Sequence, residues 1–143
     1  MKDKNIITPS PRSISPNASV AEAAIEMKAL DTGWLPICED GRLIGTLTDR
    51  DIIIRSVAEG HELNLINVRR VMSRGVIYCF EDQDIEDAAQ IMEVHQIRRL
   101  PVLDRNHCLV GIISLGDLAV RTGEENLAGR ILERISEPAR QAA

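Results

Sequence analysis

Apolar residues in this chain fall first at helical spacing and then at strand spacing, and the whole order occurs twice. Val20, Ala23, Ala24, Met27 and Leu30 recur at i, i+3, i+4, i+7 and i+10 behind a Ser19-Val20-Ala21-Glu22 capping box. That spacing predicts an amphipathic helix with one buried face, which Gly33 is expected to end. Leu35–Cys38 then reads as a short apolar strand, Glu39–Arg42 as a turn and Leu43–Thr48 as the paired strand. Asp49-Arg50-Asp51 opens a second helix, Ile52 to about Ala58. Further on, Asp84 caps a helix with Ile85, Ala88, Ala89 and Met92 inward. Leu100–Leu103 and Leu109–Ser114 are strands around a turn at Asp104–His107, and Asp117 starts the closing helix.

The recurrence extends to residue identity. Residues 19–55 return as 84–121, at an offset of 65 that becomes 66 after one extra residue near Asn106–His107. Ala23/Ala88, Met27/Met92, Pro36/Pro101, Gly45/Gly111, Asp51/Asp117 and Arg55/Arg121 are identical pairs. Two copies are too few for a solenoid; they suit two half-domains stacked about an approximate two-fold axis, with related clefts between them. The expected fold class is α/β (α+β), each unit running β-α-β-β-α if the lead-in contributes a strand. Pro9, Pro11 and Pro16 keep that lead-in extended. The boundaries follow as 1–62 and 63–123 for the two repeats and 124–143 for a helical tail. Glu59–Asn67 is a polar connector and Val68–Ser73 a short helix. In the tail, Leu127, Ile131, Leu132 and Ile135 share one face, which either caps the domain or pairs with a second subunit.

Composition narrows the function. The chain has 143 residues, 44% hydrophobic but only 2% aromatic, so its core is aliphatic and it lacks stacking platforms for single-stranded nucleic acid. A net charge of −5 argues against phosphate-backbone binding, and nucleic acid is not an expected partner. No apolar run approaches the roughly 20 residues needed to span a bilayer, and MKDKNIITPSPRS has no signal-peptide core. Three cysteines at unrelated spacings favour reduced thiols and a cytoplasmic setting.

Three signatures carry a family resemblance: Leu35-Pro36-Ile37 with Leu100-Pro101-Val102, the hydrophobic-Gly of the following strand, and G-x-x-[ST]-x-x-D. The last occurs as Gly45-Thr46-Leu47-Thr48-Asp49-Arg50-Asp51 and as Gly111-Ile112-Ile113-Ser114-Leu115-Gly116-Asp117. Over about residues 5–123 the chain resembles a tandem pair of cystathionine β-synthase (CBS) domains, a Bateman module, standing alone. The resemblance implies a non-enzymatic sensor that binds AMP, ADP, ATP or an S-adenosylmethionine-like ligand between the repeats, requires no cofactor and signals to a protein effector. It implies a homodimer as well. One cleft would take Ser114, Asp117 and Arg99, with Thr8 in the lead-in and Gly33–Trp34 contacting adenine. The symmetric cleft would take Thr48 and Asp51, with Ile77 and Arg98–Arg99 around the base. An Asp at a helix start can accept from both ribose hydroxyls, and the rigid fork of Arg99 suits a phosphate. Asp51 and Asp117 serve equally as helix caps. Trp34 stands where Arg99 stands in the second copy, so the Asp117 cleft is expected to bind more tightly.

Other chemistry is less supported. No G-x-S-x-G, G-x-x-x-x-G-K-[ST] or H-E-x-x-H occurs. Cys38, Cys79 and His95 are candidate zinc or thiol-switch residues, although no metal-ligand spacing is present. A ligand-free dimeric interaction module is the remaining alternative, favoured by Ile52-Ile53-Ile54, which cannot all face one small core.

Overall fold

The computed structural model describes residues 7–9, 11–121 and 125–137. Ser10 in the lead-in and the side chain of Leu127 lie outside what is described. The chain is a mixture of helices and strands, as the pattern implies, and divides into two compact units. One holds Arg12–Val76 with His107–Leu109; the other gathers Met1–Pro11, Ile77–Asn106 and Val110–Ala143.

In the first of these, helix α1 (Val20–Leu30) begins at the Ser19–Glu22 capping box read from the sequence. Val20, Ala23 and Met27 are buried, whereas Leu30 is 40% exposed. Asp31, in the left-handed region at φ 52°, ends the helix, and Gly33 does not. A Cβ at Gly33 would lie 2.6 Å from Asp49 Oδ2, so a side chain there would have to turn the exposed Asp49 carboxylate aside. Strands β2 (Trp34–Glu39) and β3 (Arg42–Thr48) pair antiparallel, with a bulge at Ile37/Cys38. The expected helix from Ile52 to Ala58 takes a different form. A four-residue helix α2 (Asp49–Ile52) passes into a π-helical turn, Ile53–Val57. Within it, buried Ser56 donates its hydroxyl to the Ile52 carbonyl, a local bond that competes with regular helix pairing. Ile52 is buried, while Ile53 and Ile54 are half exposed. A short helix α3 (Val68–Val71) completes the unit.

The other unit repeats the plan. Strands β1 (Thr8–Pro9), β4 (Cys79–Phe80), β5 (Arg99–Leu103) and β6 (Leu109–Ser114) form one sheet in the order β1-β6-β5-β4. Helix α4 (Ile85–His95) buries Ala88, Ala89 and Met92, and helix α5 (Leu115–Arg121) follows β6 directly. Helix α6 (Glu125–Ser136) packs on α4 and α5. Its Ile131 is wholly buried in the core of this unit, with Ile135 against it.

The paired glycines now have a cause. The lead-in of each repeat crosses onto the sheet of the other: Thr8 pairs with Ile112, and Ser73 with Thr46. Each crossing passes over a glycine. A Cβ at Gly111 would collide with the Ile7 side chain; one at Gly45 would lie 2.9 Å from the Ser73 carbonyl oxygen and 2.8 Å from Met72 Sδ. Packing units and sequence repeats therefore do not coincide at Thr8–Pro9.

Candidate functional site

In both units the G-x-x-[ST]-x-x-D heptad folds as a strand end locked to a helix start. Ser114 Oγ accepts from the Asp117 amide at 3.0 Å, and the Asp117 carboxylate accepts from the Ser114 amide at 3.2 Å. Thr48 and Asp51 repeat this at 3.1 and 3.0 Å. The Asp51 carboxylate also lies 4.0 Å from the Arg55 guanidinium, which donates to the Val71 and Met72 carbonyls at the end of α3. Thr48 and Ser114 are thus the N-caps, a role worth about 1 kcal/mol each, and both aspartates are the reciprocal partners of capping boxes.

Beside the second heptad, Arg98, Arg99, Ser114, Leu115, Gly116, Ala119, Gly129 and Leu132 line an open pocket of about 560 Å³. The Leu115 amide donates to the Arg98 carbonyl at 2.8 Å, which sets the loop before β5 against the start of α5. Arg98 and Arg99 are exposed, and neither has a carboxylate partner among the described residues. The structure therefore brings three of the named candidates, Arg98, Arg99 and Ser114, to one pocket. Asp117 is next to that pocket in sequence but does not line it. Thr8 is exposed on β1, and Ile77 packs against the core of this unit. Sequence reasoning missed Leu115, Gly116, Ala119, Gly129 and Leu132 as site residues; the one available signal was a glycine inside an otherwise regular helical pattern.

The other unit has a pocket of about 470 Å³, lined by Ala24, Met27, Lys28, Asp31, Thr32, Gly33, Asp49, Ile52 and Ile53. Gly33, Asp49 and Ile53 are the repeat counterparts of Arg98, Leu115 and Ala119. Two carboxylates and one ammonium stand here, against two guanidinium groups in the other pocket. Trp34 is half-buried on β2, paired with Thr48.

The metal candidates are not gathered. Among the described residues no group of three or more His, Cys, Asp or Glu is placed to hold a metal ion. Burial pushes the Cys79 thiol up to about 12 and raises that of Cys38, the latter offset in part by a hydrogen bond with Ser13. His95 is exposed at the end of α4.

The CBS domain model matches the chain twice, over residues 4–57 and 68–121. The chain belongs to the CBS domain family. CBS domain-containing protein YhcV of Bacillus subtilis is 44% identical over 133 residues, 93% of this chain and 94% of that protein. Among solved structures, Hypoxic Response Protein I with two coordinated zinc ions is 35% identical, with a TM-score of 0.73 over 81% of this chain and 94% of that one. The CBS domain pair of protein MJ0100, in complex with 5′-methylthioadenosine and S-adenosyl-L-methionine, is 28% identical with a TM-score of 0.71, covering 85% and 95%. Adenosine compounds are therefore ligands of a structural neighbour of this CBS pair. Among the described residues, no helix is long and apolar enough to cross a membrane.

Proposed function

We propose that this CBS pair is a non-enzymatic, cytoplasmic regulatory module that binds an adenine nucleotide and passes the signal to a protein partner. The observation that carries the reading is the pocket in which Arg98, Arg99 and Ser114 converge, with no carboxylate among its described lining residues. Its volume lies within the roughly 300–1,000 Å³ usual for small-molecule sites. Of the candidate ligands, 5′-methylthioadenosine carries no phosphate and S-adenosylmethionine carries a sulfonium cation. Two guanidinium groups favour AMP, ADP or ATP over both, because each can form charge-assisted, bidentate bonds to phosphate. Leu115, Ala119 and Leu132 supply the apolar surface that a nucleobase needs.

Isothermal titration of nucleotide-free protein with AMP, ADP, ATP and S-adenosylmethionine tests this. The expected result is binding to a phosphorylated ligand with a Kd on the order of 10 μM, weakened strongly in Arg99→Ala and weakly in Asp117→Asn. Silence with every ligand would return the choice to a ligand-free interaction module.

Self-association belongs to the same reading. Ile25, Ile53, Ile54 and Val57 are each about half exposed or more, an apolar surface that a second copy would cover. Sedimentation at micromolar concentration should find a dimer that Ile53→Lys weakens; a monomeric wild type would remove this part.

A further inference from the structure

Gly129 is an anomaly in α6. Glycine inside a helix is about 1 kcal/mol less favourable than alanine, so it normally answers a packing demand. No such demand shows among the described residues: apart from its chain neighbours and the helix's own backbone, a Cβ built on Gly129 would meet no described atom within 4 Å. The space it leaves open is the pocket of Arg98 and Arg99, which Gly129 lines together with Leu132. Leu132 lies one turn further along the same helix face and is 46% exposed, an apolar side chain at the pocket wall.

Three described residues fix α6 to its unit. Ile131 is fully buried. Arg130 bonds Glu86 at 2.9 Å and also bonds Glu93, while Gln96 Nε2 donates to the Arg134 carbonyl at 2.7 Å. One face of the helix is therefore committed to the core, and the adjoining face borders the pocket. The first repeat has no helix at the corresponding place in sequence; its connector, Glu59–Asn67, contains the short turns that lead to α3.

We propose that α6 is a wall of the nucleotide site, with Gly129 holding space for the ligand and Leu132 contacting its base. Docking of α6 and binding of ligand are then coupled. This rests on the nucleotide reading of the pocket given above. Thermodynamic linkage requires the effect to be reciprocal: ligand held between Arg98–Arg99 and α6 must tighten the helix onto α4 and α5. The C-terminal helix is then the element that changes its surface availability when the site fills.

Titration calorimetry of AMP against wild type, Gly129→Ala and Gly129→Phe decides the matter, with hydrogen exchange across residues 125–136 measured with and without AMP. The Cβ of a phenylalanine at 129 would meet no described atom beyond the local helix backbone, and its ring would enter the open pocket. The variant should therefore keep its melting temperature while losing at least about tenfold in affinity, or about 1.4 kcal/mol. Alanine should raise the melting temperature and change affinity by less than about threefold. Wild-type exchange in α6 should slow on adding AMP. If AMP binds wild type and Gly129→Phe equally, or leaves α6 exchange unchanged, the helix is no part of the site while the nucleotide reading stands. If wild type itself gives no heat with AMP, the nucleotide reading fails and this inference fails with it.

Discussion

The two repeats keep the same scaffold and reverse the charge placed on it. Both close their heptads with the same reciprocal cap, Thr48–Asp51 and Ser114–Asp117. Both also receive a crossing lead-in over a glycine. Around the pockets the copies then diverge: Gly33 and Asp49 in one occupy the places of Arg98 and Leu115 in the other, and Trp34, which does not line its pocket, stands in the place of Arg99. What is retained is what the fold needs, and what has changed is what a ligand would meet. A repeat protein thus separates the residues its fold needs from those the proposed site would use, because each copy serves as the control for the other.

The sharpest way to break this comparison is to remove the charge. Replacing both Arg98 and Arg99 by alanine should weaken nucleotide binding by at least about 100-fold, given about 1.5–3 kcal/mol for each hydrogen bond to a charged group. The melting temperature should stay put, since both side chains are exposed. A variant that binds as well as wild type would locate the ligand elsewhere. The converse graft is informative too. Gly33→Arg alone would press its Cβ against Asp49, so the graft needs Gly33→Arg with Asp49→Ala. That pair should give the first repeat weak phosphate affinity, with a Kd on the order of 1 mM.

A second prediction tests the scaffold half of the comparison. Gly45→Ala should cost about 2 kcal/mol and Gly111→Ala about half of that. At Gly45 the obstruction includes a backbone carbonyl at 2.9 Å, which cannot rotate away. At Gly111 the nearest obstruction is the Ile7 side chain, and the backbone carbonyl of Thr8 is farther off at 3.1 Å. Urea unfolding of the two variants would read the difference. Equal costs would mean that the crossing segments yield equally.

These contrasts bear on how much the sequence could disclose. The duplicated heptads, the Leu-Pro strands and the Ser19–Glu22 capping box were legible because they are local, and local chemistry repeats visibly. The π-helical turn after Ile52 was not, since nothing in the residue pattern announces that Ser56 will turn its hydroxyl back to the Ile52 carbonyl. Asp31 in place of Gly33 as the end of α1 was hidden for a related reason. An aspartate can adopt the left-handed conformation at modest cost, so glycine was a reasonable but mistaken marker. The pocket was half legible: its arginines follow from aligning the copies, whereas Gly129 and Leu132 reach it only because Ile131 anchors α6 to the core.

Buried thiols supply a prediction of intermediate size. Cys79 is raised from 9.0 to about 12 by burial, so the folded state holds its proton over a window in which the unfolded chain has released it. The unfolded state binds fewer protons there, and stability must fall as pH rises from 9 toward 12, by up to about 1.4 kcal/mol per pH unit. Below pH 9 the group contributes no slope. Cys79→Ala should flatten the alkaline limb of a melting-temperature profile. An unchanged limb would assign that slope to other groups.

The smallest effect is expected at the turns, where the two repeats solve one problem with different chemistry. In the first, Asp40 and Gly41 both adopt positive φ, and Arg69 pairs with Glu39 at 2.7 Å. In the second, Arg105 forms a bidentate pair with Asp82, both contacts at 2.7 Å, and its guanidinium stacks 4.1 Å from the centre of the Phe80 ring. That bond holds the Asp82 carboxyl below the usual carboxylate range, so its contribution is present at neutral pH and lost as acid protonates it. Both partners lie in water, where screening and side-chain entropy erase most of the gain. Asp82→Asn should therefore leave the melting temperature within error at 0.15 M salt, and Arg105→Ala should lower it slightly more through the lost ring contact. A larger loss in Asp82→Asn than in Arg105→Ala would show that the ion pair, and not the stacked guanidinium, fixes this turn.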